Sequence, residues 1–343
     1  MKKLFFLDLI NHIKTGSAVF IQDILKRRFN VHLHYASGRR APDMCTASDV
    51  AGFDALLYFQ MSPTVHMAKG FNKPSIYVPM YDGESFNPWK WRRIAQTGAR
   101  VISFSSVLTA RLAAYGLNIL TVRYFPPKAD FSPGNPRKMF LWHRGCVSFE
   151  ALKKCIRPDD FDEIIIRLSE SSREKFKCEE IERYHVRLIP ADYLKTREEY
   201  YALFKECGVY VAPRYKEGIG MSFLEAMSMG KCVLVHNDAT MNEYVQNGCN
   251  GYVVNMLDES IEPLDWTEAK VRSMQQKAFN DCQIGFQRWK DDQGQILEFI
   301  SDTIDTYRKM RIGNCLKWWM MAPLQFVVNV KNYLHLLARR ILK

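Results

Sequence analysis

No run of about 18 apolar residues in this chain escapes interruption by a charge, which argues against a membrane-crossing helix. No C-x-x-C spacing occurs among the nine cysteines (Cys45, Cys146, Cys155, Cys178, Cys207, Cys232, Cys249, Cys282 and Cys315), and their number is odd. A disulfide framework and a zinc site are therefore not expected; reduced thiols in a cytoplasm are. The G-x-G-x-x-G pattern that would favour a nicotinamide enzyme is missing, as are internal repeats and low-complexity tracts. MKKLFFLDLI at the start imitates a secretion signal, but Asp8 interrupts a short apolar run and no small-residue cleavage site follows, so it reads as a first strand. What remains is a globular composition, 47% hydrophobic, in a chain of 343 residues, too long for one ordinary core and suited to two domains.

Short apolar runs separated by polar, periodic segments give two wound α/β units. In the first, strands are expected at 4–10, 31–35, 55–60, 75–79, 101–105 and 120–124, with helices near 19–28, 89–97 and 108–114. FPPKADFSPGNPRK, residues 125–138, is rich in proline and glycine and reads as a linker. The second unit has expected strands near 139–143, 163–168, 186–189, 209–212, 232–236 and 252–254. The organisation that follows is an N-terminal domain at 1–128, a linker at 129–138, a C-terminal domain at 139–285, a crossing helix at 286–312 and a tail at 313–343.

The most informative stretch is EGIGMSFLEAMSMGKC, Glu217 to Cys232, which sets Glu217 and Glu225 eight residues apart around a glycine turn that opens a helix. Gly218 and Gly220 permit close backbone approach, and the unpaired N–H groups of the helix start, Met221 to Leu224, suit an anionic diphosphate. The carboxylates would hold hydroxyls on either side of it, one on a sugar and one on a ribose. A second reading is open: Ser222 and Glu225 also spell a capping box that would start any helix, with Gly230 as its stop. VYVAPR before the turn and KCVLVH after the helix read as buried parallel strands, which places the loop at the end of the sheet where open α/β folds bind ligands.

From Val211 to Val254 the chain resembles the carboxy-terminal signature of the retaining GT-B glycosyltransferases, family 4, of the bacterial polysaccharide and glycolipid type. The E-x7-E motif, the following LEAM-x-x-G-K-x-V and the later NEY-x-x-x-G-x-NGY carry the resemblance. It implies an α/β fold of GT-B type, two Rossmann-like doubly wound domains facing a cleft. Donor contacts are then expected from Lys216, Gly218, Ile219, Gly220, Met221, Ser222 and Glu225, with Glu217 catalytic. It also implies a loop facing the donor phosphates and acceptor, which Gly16 in NHIKTGS would supply, and a cation from Arg144 in LWHRGCVSFE. A guanidinium there would stabilise the charge that the departing diphosphate gains. The lysine expected a few residues later is replaced by Ser148 or Phe149, leaving Lys153, Lys154, Arg214 or Lys216 as the second cation. In PSIYVPMYDGES, Tyr81 stands where a histidine is expected, and Asp82 becomes the catalytic candidate; an ordinary Asp-Gly turn is the alternative. His236 and Asp238, at a strand end, are further cleft candidates, and Thr240-Met-Asn-Glu243 repeats the capping-box pattern. Asp159-Asp160-Phe-Asp162 contains a D-x-D but precedes its strand, and reads as a solvated turn, not a metal site.

From Tyr307 onward there are eight basic residues and no acid, so most of the net charge of +11 lies there. Val327, Val330, Leu334, Leu337 and Ile341 recur at helical spacing. Lys317, Trp318, Trp319, Phe326, Lys331, Arg339 and Arg340 are the expected contacts of this amphipathic tail with an anionic membrane surface. The alternative is packing on the protein, which is expected of 296–309. Basic residues interleaved with large aliphatics, without a recognised motif, argue against nucleic acid.

The expected activity is thus transfer of a sugar from a nucleotide diphosphate donor, UDP- or GDP-linked, to a glycan or lipid-linked acceptor with retention. No metal or cofactor is expected, and the place is the inner face of the cell membrane, peripherally attached. Alternatives are an epimerase or phosphorylase of the same fold, or a non-catalytic partner subunit.

Overall fold

The computed structural model describes residues 1–38, 44–84, 86–170, 172, 174–191 and 197–307. The expected tail contacts, Lys317, Trp318, Trp319, Phe326, Lys331, Arg339 and Arg340, lie outside the described residues. The described residues contain two six-stranded parallel sheets. The first contains β1 (Lys3–Leu9), β2 (Asn30–Ala36), β3 (Ala55–Phe59), β4 (Ser75–Val78), β5 (Arg100–Ser103) and β6 (Ile119–Thr121), in the order β2-β1-β3-β4-β5-β6. The second contains β7 (Asn135–His143), β8 (Glu163–Leu168), β9 (Val186–Ile189), β10 (Cys207–Val211), β11 (Cys232–His236) and β12 (Gly251–Val254), in the order β12-β11-β10-β7-β8-β9. The expected α/β fold class and all twelve strands are present.

Central strands such as ALLYF of β3 and CGVYV of β10 are buried at every position, because helices cover both faces of a parallel sheet. Each sheet reverses its winding once, between β1 and β3 in the first and between β7 and β10 in the second. Those two points, at the carboxyl ends of the strands, are where this architecture leaves a crevice.

Among the described residues of the first half, three short helices carry too few residues for a recognisable repeat, Asn11–Thr15, Ala47–Val50 and Val65–Phe71. The expected linker also ends early. β7 already begins at Asn135, which pairs with Cys207 before the register shifts toward Met139 opposite Val209. Pro136 is tolerated at that irregularity because the ladder is interrupted there.

The helix Glu268–Thr306 ties the two halves together. Val271 and Met274 pack in the core of the second sheet, while Trp289 meets Phe20, Phe104 and Tyr124 of the first half at ring distances of 6.2, 6.1 and 5.4 Å. Trp289 lies within the crossing helix expected at 286–312, although the helix itself begins earlier, at Glu268. Arg27 donates to Gln293 (2.7 Å) and the Arg123 N–H to Asp292 (3.1 Å). No helix among the described residues is long and apolar enough to cross a membrane. Trp289 is 3% exposed, so Trp289→Ala should lower the unfolding free energy by about 3–5 kcal/mol in a urea titration, the scale of a large aromatic lost from a core.

Candidate active site

Side-chain alternation on β7 and β10 builds the site. Leu141 pairs with Val211 at the end of the ladder, and the loops that follow bring Arg144 and Arg214 near each other. The Arg144 guanidinium lies over the Trp142 ring, 4.8 Å from its centroid. Burial, and then the neighbouring Arg214, disfavour the charge on Arg144; Glu217 favours it. Glu217 follows three residues after Arg214, and burial raises its carboxyl from 4.5 to about 7, with Arg214 and Arg144 pulling it down and Asp82 pushing it up. Asp82 comes from the other half, in the turn after β4, and accepts from Arg214 at 3.3 Å. Two guanidiniums and two carboxylates therefore gather at the two crevices, with opposite charges alternating.

The glycines of this loop are also required by the fold itself. A Cβ on Gly218 would fall 2.7 Å from Asp82 Oδ1 and 2.9 Å from Met80 Cβ, so the bare backbone lets the halves meet here. Gly220 takes φ +80 as the N-cap of the helix Met221–Ser228, and a Cβ there would lie 1.9 Å from the Phe223 ring. The first bond inside the helix runs from Leu224 N–H to the Gly220 carbonyl (3.1 Å), leaving the N–H groups of Met221, Ser222 and Phe223 without a carbonyl one turn back. Ser222 is thus one residue inside the helix and not its cap; the capping-box reading of Ser222 and Glu225 does not hold. Gly230, at φ +83, does end the helix. Ile219 is buried, Lys216 exposed, and Met221 and Ser222 half-buried. Glu225, also half-buried, lies near Tyr124, whose phenol is pushed up by burial and then by that carboxylate.

Among the four candidates for the second cation, Arg214 is the one beside Arg144. Lys153 is engaged by Glu150 (2.7 Å) and Glu180 (2.6 Å), and Lys154 donates to the Asp258 carbonyl (2.8 Å). Ser148, at the expected lysine position, caps the helix Phe149–Lys153 through the Ala151 N–H (3.1 Å). The acidic run is a turn: Asp160 accepts from the Arg157 N–H (2.6 Å) and Asp162 from Arg137 (2.7 Å). No group of three or more His, Cys, Asp or Glu side chains placed to hold a metal occurs among the described residues.

Tyr81 crosses to the second half, donating to Asp238 (2.9 Å), and its phenol is pushed up to about 12 by burial and by that bond. His236 is turned inward, its Nδ1 accepting from the Met256 N–H (3.2 Å), and burial lowers its pKa. His143 is likewise buried, between Ser172 (2.8 Å) and Glu174 (2.7 Å). Gly16, at φ +65, closes the unexpected helix Asn11–Thr15 at the other crevice. There, Asp8 is fully buried and pairs with His12 at 2.5 Å, a feature that sequence reasoning missed because Asp8 sits in an otherwise apolar strand. Glu243 completes the expected capping box with Thr240, yet it also accepts from Ser105 and Ser106 of the first half (2.7 and 2.8 Å). No local pattern announces that reach.

The family model of glycosyl transferases group 1 matches residues 161–262, which include Arg214, Glu217 and Glu225 but neither Arg144 nor Asp82. A sucrose synthase of Melioribacter roseus is 26% identical over 186 residues, 54% of this chain and 23% of its own length. The N,N'-diacetylbacillosaminyl-diphospho-undecaprenol alpha-1,3-N-acetylgalactosaminyltransferase of Campylobacter jejuni is 28% identical over 111 residues, 32% of this chain and 28% of its own length. Both matches span about a quarter of the relative's length. The Anabaena protein HepE, solved in complex with UDP and glucose, superimposes with a TM-score of 0.54 at 15% identity, covering 90% of this chain and 100% of its own. The fold is accordingly the expected GT-B arrangement.

Because Glu217 holds its proton more tightly in the folded chain than in the unfolded one, its contribution to stability declines as pH rises from about 4.5 to 7. Glu217→Gln removes that charge from the cleft. The variant should gain up to about 3 kcal/mol over wild type at pH 8 and little at pH 4.5, read as unfolding free energies at the two pH values.

Proposed function

We propose that this chain is a glycosyltransferase that moves a sugar from a nucleoside diphosphate donor to a glycan or lipid-linked acceptor with retention at the anomeric carbon. The observation that carries the reading is the gathering of Arg144, Arg214, Glu217 and Asp82 around the start of the helix Met221–Ser228. Two guanidiniums and a helix N-terminus suit a diphosphate, and flanking carboxylates suit sugar hydroxyls. The UDP and glucose bound by HepE support a uridine donor, and the undecaprenol diphosphate in the name of the Campylobacter relative supports a lipid-linked acceptor.

In this reading the bond from the anomeric carbon to the diphosphate oxygen breaks while the acceptor oxygen bonds to the same face of that carbon. The acceptor proton passes to the departing diphosphate oxygen, whose growing charge Arg144 and Arg214 stabilise without rearrangement. Glu217 holds the donor sugar, Glu225 the ribose, and Asp82 faces the reacting carbon. Gly16, Lys216, Gly218, Ile219, Gly220, Met221 and Ser222 line the donor's path. No metal takes part. The basic tail holds the enzyme on the cytoplasmic face of an anionic membrane.

A panel of UDP- and GDP-sugars, assayed for hydrolysis and transfer with and without a chelator, tests this. Turnover that survives the chelator is expected; turnover restored only by manganese or magnesium would remove metal independence, and none with any donor would remove the reading. Arg144→Ala should lower kcat by about 10²–10³-fold with a smaller change in KM, as loss of a leaving-group donor does. Removal of 314–343 should release the chain from anionic vesicles and leave donor hydrolysis intact, since each basic residue contributes about 1 kcal/mol at such a surface. Unchanged vesicle binding by the shortened chain would remove the tail from that role.

A further inference from the structure

Thr240 adopts φ 73° and ψ −60°, and among the described residues it is the only β-branched residue with positive φ. A branched side chain is poorly tolerated there, whereas glycine would fit without strain. Such strain persists where surrounding contacts over-determine it. Thr240 is fully buried, its hydroxyl donates to the Glu217 carbonyl at 2.6 Å, and its N–H donates to Glu243 Oε1 at 3.3 Å. Glu243 Oε1 also accepts from the Ser105 hydroxyl (2.7 Å), while Oε2 accepts from the Ser106 N–H (2.8 Å) and hydroxyl (2.7 Å). Ser105 caps the helix Ser106–Ala113 of the first half. Burial alone would raise the Glu243 carboxyl, but the bonds from Ser106, Ser105 and Thr240 hold it below the ordinary value, so it stays an anion between the halves.

The bonds form one chain, from the first half through Glu243 and Thr240 to the peptide that carries Glu217. We propose that Thr240 is a positioning residue whose hydroxyl fixes the Glu217 peptide and, through Glu243, makes the placement of the Glu217 carboxylate depend on contact between the halves. Its link to turnover rests on the transfer reading given above. A glycine would spare the strain but provide no hydroxyl, which is the physical reason for a threonine at this φ.

The test uses the full chain with Thr240→Gly and Thr240→Ser, and Thr240→Ala should the glycine loosen the fold. Three quantities are read: kcat on the best sugar nucleotide, the UDP dissociation constant, and amide hydrogen exchange over 214–220. Thr240→Gly should melt no lower than wild type, lose about 10- to 100-fold in kcat with UDP affinity within about twofold, and exchange faster over 214–220, while Thr240→Ser stays near wild type. Wild-type kcat and exchange in Thr240→Gly would overturn the role. If no sugar nucleotide is turned over by wild type, yet the exchange difference between Gly and Ser appears, the transfer reading falls and the positioning of the Glu217 peptide stands.

Discussion

Opposite charges set close together from two separately wound sheets are what the cleft depends on. Arg144 and Arg214 lie in the loops after neighbouring strands of one sheet, where their mutual repulsion and partial burial would be costly if they stood alone. Glu217 from the same sheet and Asp82 from the other supply the opposing charge. The balance is incomplete by design of the geometry: Glu217 is too buried to ionise freely, and Asp82 reaches Arg214 only at 3.3 Å. Such an arrangement leaves the electrostatics of the site incompletely balanced, with two guanidiniums beside a carboxyl whose ionisation burial disfavours.

Bringing those groups together requires that the halves approach closely, and three features of different kinds achieve it. Gly218 removes the side chain that would collide with Asp82 and Met80. The helix Glu268–Thr306 crosses from one core to the other and inserts Trp289 among Phe20, Phe104 and Tyr124, so apolar burial holds the halves from behind the cleft. Tyr81 with Asp238, and Ser105 and Ser106 with Glu243, join them through further hydrogen bonds. Polar bonds add geometric selectivity to an association that the apolar helix supplies in energy.

Strand identity was legible because parallel strands covered on both faces are continuous apolar runs, and the runs at 55–59, 163–168 and 232–236 stand out against polar surroundings. The glycine turn and the helix after it were legible for a similar local reason. The helix starts at Met221 as expected; the capping-box alternative fails because Ser222 and Glu225 match it by spacing alone, whereas Gly220 adopts the left-handed cap without any side-chain acceptor. Arg214 could not be chosen over Lys153, since the partners that occupy Lys153, Glu150 and Glu180, include one drawn in from a distant helix.

The sequence by itself determined the two α/β units, the order of their strands along the chain, the placement of Arg144, Asp82 and Glu217 in loops that follow strands, and that of Glu225 in the helix after the glycine turn, since each depends on hydrophobic runs and turn residues close together in the chain. Tertiary structure alone decided that Arg214 lies beside Arg144, that Gly218 serves the contact between halves, and that Thr240 and Glu243 link Glu217 to Ser105. Several of those contacts join residues more than a hundred positions apart, such as Asp82 with Arg214 and Ser105 with Glu243, and a side chain's neighbours across a cleft leave no periodic trace in the segment that bears it.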